Sequence, residues 1–75
     1  MKLTVELEVG ANPEVAICFD ADGLRLLLKR LESLLTRVDH VHLMTPSWAG
    51  NELTEDPVGG ERYRLINSLR LVRLP

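Results

Sequence analysis

Both histidines and the single tryptophan of this 75-residue chain fall within the stretch HVHLMTPSWAGNEL, His40 to Leu53. His40 and His42 stand two apart, so on a strand both imidazoles leave the same face. Glu6 and Glu8 share that face in the sheet order favoured below, and two imidazoles with two carboxylates are a donor set that zinc takes. A His-x-His pair on a wet sheet face more often makes cross-strand polar contacts. The expectation is a polar surface, with no metal and no cofactor.

Other reactive groups lead no further. Cys18, the only cysteine, has no evident base committed to activating it, so a thiolate nucleophile is not expected, and a lone cysteine forms no internal disulfide. DADG at Asp20 resembles the start of a calcium loop but puts glycine fourth instead of sixth, which suits a helix cap better. PVGG after Asp56 is not followed by a helix in phosphate-binding register. The chain is read as a non-enzyme.

Trp48 has two readings. In a loop rich in Pro, Gly and Asn it either plugs the bottom of the sheet or presents a large rigid face to a partner. Gly50 and Asn51 suit a turn with positive φ, and Glu52 and Leu53 open the return.

The elements that must position these groups follow from periodicity. Leu3, Val5, Leu7 and Val9 alternate with Thr4, Glu6 and Glu8, predicting a strand with one buried and one wet face. After the turn GANPE, VAICF reads as a second strand with Val15, Ile17 and Phe19 inward. Asp20 caps a helix predicted to run to about Val38, with Leu24, Leu27, Leu28, Leu31, Leu34, Leu35 and Val38 inward and Phe19 stapled to Leu24. Leu26 falls on the polar side, either incidentally exposed or at an interface. HVHLM is a third strand with Val41 and Leu43 inward, and a long loop spans Thr45 to about Glu61.

In YRLINSLRLVRLP, the fourth strand, Ile66, Val72 and Leu74 are out of phase with Leu65, Leu69 and Leu71. That calls for a bulge or a second buried surface. The predicted fold is a single α+β domain over residues 1–75, two-layered and ordered β-β-α-β-β. Its four-stranded, mainly antiparallel sheet has the strand order 2-1-3-4, with one amphipathic helix on one face.

Composition narrows the partners. Apolar residues make up 45% and charged residues 27%, ordinary for a folded domain. Nine Lys and Arg stand against eleven Asp and Glu, a net charge of −2, so no positive field draws nucleic acid. MKLTVELEV lacks the apolar core of a signal peptide, and no run reaches the ~18 apolar residues of a membrane span. A cytoplasmic protein is expected, and at this length a second subunit is a live expectation.

HVHLMTPSWAGNELTE, with GLRLLLKRLESLL before it and INSLRLVRLP after it, resembles the bacterial polymorphic-toxin immunity proteins of the type-32 immunity family. The resemblance spans nearly the whole chain and rests on His40, His42, Leu43, Trp48, Gly50, Glu52 and Leu53. Ala49 stands where a glycine is expected. The resemblance implies a non-enzymatic protein that binds and blocks a cognate toxin. The residues assigned to that surface are Trp48, Asn51 and Glu52, rimmed by His40, His42, Glu6 and Glu8. The alternative is a structural or regulatory homodimer joined through the fourth strand or Leu26.

Overall fold

A computed structural model describes all residues, 1–75. The elements are β1 (Leu3–Glu8), β2 (Val15–Phe19), α1 (Ala21–Glu32), β3 (His40–Met44), a 3₁₀ turn (Pro46–Trp48), β4 (Tyr63–Ile66) and β5 (Ser68–Val72). The fold is α+β, with one helix and antiparallel strand pairs. β1 and β2 form the expected hairpin, in register from Leu3↔Phe19 to Leu7↔Val15.

The single four-stranded sheet is not formed. Three strands make one sheet in the order β2-β1-β4, and β3 with β5 makes a second. β1 cannot take β3 as a neighbour, because its far side is already occupied. Val5 to Glu8 pair with β4, and Leu3 bonds to Thr54, whose N–H donates to the Leu3 carbonyl at 2.7 Å. Leu53 donates to the Met44 carbonyl at 3.1 Å, so Leu53 and Thr54 link the two sheets where a strand was expected.

The terminal segment crosses from one sheet to the other at Asn67, between β4 and β5. Ile66, Leu69 and Leu71 all pack against one core of Leu3, Val5, Leu43 and Leu53. A spacing of three on one core requires a break in the two-residue period, which the bend at Asn67 supplies. Val72 and Leu74 do not return to that core and stay exposed.

The helix begins as its cap predicts, with Asp20 Oδ1 accepting from the Gly23 N–H at 2.8 Å. A Cβ on Gly23 would stand 1.9 Å from the Lys2 carbonyl oxygen, so only glycine lets the first turn sit this close to β1. The helix stops at Glu32, short of Val38. Arg73, just past β5, supplies the reason: its Nη1 donates to the carbonyls of Leu34 at 2.8 Å and Leu35 at 2.7 Å, holding them in a non-helical turn.

The helix is also rotated from the predicted phase. Leu26 and Leu27 pack against the core, and Gly23 and Leu34 are buried, whereas Leu24, Leu28, Leu31 and Leu35 are exposed. Leu26 is therefore a packing residue and not an exposed interface leucine. Val15, Ile17 and Phe19 share the core-facing side with Leu3 and Val5, yet they too are exposed, because β2 is the outermost strand and nothing covers it.

Candidate functional site

The loop after β3 is built around Thr45, which is fully buried. Its N–H donates to the Asn67 carbonyl at 3.0 Å and its hydroxyl to Asn67 Oδ1 at 2.8 Å, tying the loop to the bend between β4 and β5. Its carbonyl accepts from Trp48 at 2.9 Å and Gly50 at 3.0 Å. One threonine thus closes both the 3₁₀ turn and the turn after it. Pro46 opens the 3₁₀ turn, where its missing N–H has no bond to lose.

Two carboxylates clasp the loop from outside. Glu55 Oε1 accepts from the Ser47 N–H at 2.7 Å, and Glu52 Oε2 accepts from Asn51 at 3.0 Å and Met44 at 3.2 Å. Bonds from Ser47 hold the Glu55 carboxyl below its usual range. Burial pushes Glu52 up, but donation from Met44 and Asn51 outweighs it and leaves the group below its usual range. Gly50 packs where a Cβ would lie 2.5 Å from both the Met44 Cβ and its carbonyl oxygen.

The product of these restraints is Trp48, 57% exposed at the end of the 3₁₀ turn. It does not plug the sheet. A large aromatic face held out on a hydrogen-bonded turn loses little entropy when a partner covers it. Asn51 is exposed beside this turn, whereas Glu52 is half-buried and its carboxylate is used to shape it.

Ala49 adopts φ 64°, ψ 23°, the left-handed region, and donates to the Pro46 carbonyl at 2.9 Å. The turn is tight despite the missing glycine, and the alanine Cβ makes it costlier, by about 1 kcal/mol. Ala49→Gly is expected to raise stability by about 0.5–1 kcal/mol, offset partly by the freer unfolded chain. A urea melt showing a lower midpoint for Ala49→Gly would contradict this.

The remaining predicted residues are dispersed. His40 and His42 do project from the outer face of β3, exposed, with ring centroids 5.0 Å apart at 89°. His42 lies opposite Arg70, and the His40 ring lies 3.4 Å from Asp39. His40 is at the far end of β3 from Trp48, about 13 Å from Met44 by strand rise alone.

Glu6 is not on a wet rim. It is 0% exposed and accepts from the Thr4 hydroxyl at 2.6 Å, Gly59 at 2.8 Å and Val58 at 3.1 Å. The segment around Val58 and Gly59 lies over the face expected to be open. Burial pushes the Glu6 carboxyl up, but bonds from Thr4, Gly59 and Val58 together hold it below its usual range. Glu8 lies opposite Tyr63 in the other sheet from the histidines. The four-residue zinc set is therefore not assembled, and no group of three or more His, Cys, Asp or Glu gathers in metal-binding geometry.

Reading the sequence missed Thr45, Asn67 and Glu55, whose polar bonds span 22 residues in one case and 8 in another. Thr-Pro at the start of the loop was the available signal, a cap residue followed by a proline at the first helical position.

Comparison with known proteins gives one family. Residues 14–67 match the family described as Immunity protein 32, from just before β2 to the bend after β4. No curated protein and no solved structure matches the chain. No helix is long and apolar enough to cross a membrane. The matched segment is well over half of the chain and contains the whole Trp48 loop with its Thr45 and Asn67 anchors, so this chain belongs to the Immunity protein 32 family.

Proposed function

We propose that this chain neutralises a cognate bacterial toxin by binding it, without catalysis, as one α+β domain acting in the cytoplasm of the producing cell. The observation that carries the proposal is Trp48, exposed on a turn fixed by Thr45, Glu52 and Glu55, in a chain whose family is named for immunity. Tryptophan is among the residues most enriched at the hot spots that dominate binding energy. Asn51 and Ala49 border the anchor. Glu52 shapes it, His40 and His42 form an outlying polar rim, and Glu6 and Glu8 lie outside the contact.

A net charge of −2 contributes only slight steering toward a basic toxin. Of the two contacts offered for the alternative reading, a structural or regulatory homodimer joined through the fourth strand or Leu26, Leu26 goes to the core, whereas Val72 and Leu74 of the last segment stay exposed. The test is survival of cells expressing a candidate toxin encoded beside this gene. Co-expression of the chain is expected to restore growth, and cells dying at the same rate with and without it would overturn the proposal.

A further inference from the structure

The chain exposes more surface than its size requires. Its accessible surface is 5200 Å², against about 4,700 Å² for a compact monomer of 8.5 kDa. The excess, about 500 Å², approaches the ~800 Å² that each partner gives up in a standard interface. One apolar stripe within that surface is β2, where Val15 is 61%, Ile17 37% and Phe19 47% exposed. Exposed Leu24 and Leu28 continue it into the first turns of the helix that leaves β2.

β2 is also an open sheet edge. It pairs with β1 on one side only. Glu8 donates to Glu14 at 2.8 Å and Asp20 to Lys2 at 3.1 Å, so the even-numbered residues of this strand turn their backbone groups toward β1. Val15, Ile17 and Phe19 therefore turn theirs outward. Edge strands are ordinarily guarded by lysines, prolines or bulges. VAICF has no charge, no proline and no bulge.

We infer that the occupant of this edge is a second copy of the chain, pairing β2 with β2 antiparallel about a twofold axis at Ile17. Antiparallel self-pairing sets Ile17 against Ile17 of the partner copy and Val15 against its Phe19. That register offers every outward N–H of the strand an acceptor and sets the three apolar side chains beside those of the partner copy on one face. The two three-stranded sheets become one of six strands, and the interface is closed, since each copy uses the same edge. Glu14 meets Asp20 of the other copy at the two ends. Asp20 is already engaged by Gly23 at 2.8 Å and by its own amino terminus at 3.9 Å, and salt screens what remains. The Trp48 loop lies on other elements, so dimerisation would leave two toxin-binding surfaces free.

Sedimentation equilibrium of the purified chain at micromolar concentration tests this without any toxin. The expected mass is twice 8.5 kDa, with Ile17→Lys weakening association at least about tenfold by placing a charge on the axis. Disulfide trapping fixes the register. In a Cys18→Ser background, Ile17→Cys is expected to cross-link two copies, because hydrogen-bonded antiparallel pairs hold Cα atoms about 5.5 Å apart, within disulfide reach. Val15→Cys, four residues out of register with its own copy, is expected to stay uncross-linked. A monomer throughout the micromolar range would overturn the inference. So would a dimer that Ile17→Lys leaves unchanged, or equal cross-linking by both cysteine variants.

Discussion

Glu6→Ala is expected to lower stability by about 2–4 kcal/mol, which leaves little of the ~3–5 kcal/mol available to a core of this size. The carboxylate joins β1 to the covering segment at Val58 and Gly59. Removing it strands the Thr4 hydroxyl and the N–H groups of Val58 and Gly59, all of which now end on Glu6. The Thr4 hydroxyl is fully buried, and a buried donor left without an acceptor loses its full hydration, so the loss there exceeds the net worth of the bond itself. Glu6→Gln keeps the shape and one acceptor, so it is expected to cost less.

The pH dependence follows from the same contacts. The folded-state pKa of Glu6 is depressed, so the unfolded chain binds the proton more readily than the folded one. The stabilisation is present in full above the unfolded value near ~4.3 and is lost as pH falls through the folded value. Glu6→Gln should flatten part of the acid limb of a stability curve measured by urea melts below about pH 5, where the unfolded carboxyl starts to take up its proton. Glu52 and Glu55, also depressed, keep the rest of that limb. An Ala variant melting within about 0.5 kcal/mol of the parent, the range of an ordinary surface substitution, would show that the carboxylate does not hold this segment.

Trp48→Ala is expected to weaken toxin binding by about 30- to 1,000-fold, the range of 2–4 kcal/mol lost at a central aromatic anchor. Stability should change by no more than about 0.5 kcal/mol, because the ring is already more than half exposed and its turn is held by backbone and carboxylate bonds. The two readouts must separate. Equal losses in affinity and in melting temperature would make Trp48 a structural residue. His42→Ala, at the outlying rim, is expected to change affinity by less than about threefold, as rim contacts do.

The hairpin, the Asp20 cap and the third strand were legible because each depends on neighbours in sequence. Alternation and capping are local, and Leu3↔Phe19 and the Gly23 to Asp20 bond follow from them. The sheet order was not legible, because it turns on Thr54 taking the place beside Leu3 that a strand would have filled, 51 residues away. The helix phase failed for a different reason. Leucines occupy so much of its circumference that two apolar faces compete, and the Gly23 approach to Lys2 decides between them. The out-of-phase Ile66, Val72 and Leu74 of the last segment did signal its break, though not that the break would pass the chain between two sheets.

At the candidate site, the clustering of His40, His42 and Trp48 in sequence marked the right loop for Trp48 but overstated its unity. β3 carries His40 to its opposite end and His42 to its middle, and Glu6, which looked like a surface carboxylate from alternation alone, is covered by a segment whose sequence has no strand or helix pattern to announce it.

The central claim is neutralisation by direct binding through the Trp48 turn. Its most direct measurement is the activity of a purified candidate toxin domain encoded beside this gene, titrated with the intact chain and with Trp48→Ala. The intact chain is expected to abolish activity near one chain per toxin, and the equally folded variant to need about 30-fold or greater excess at concentrations near the parent Kd. Full toxin activity at saturating intact chain, or identical titration curves for the two proteins, would contradict it.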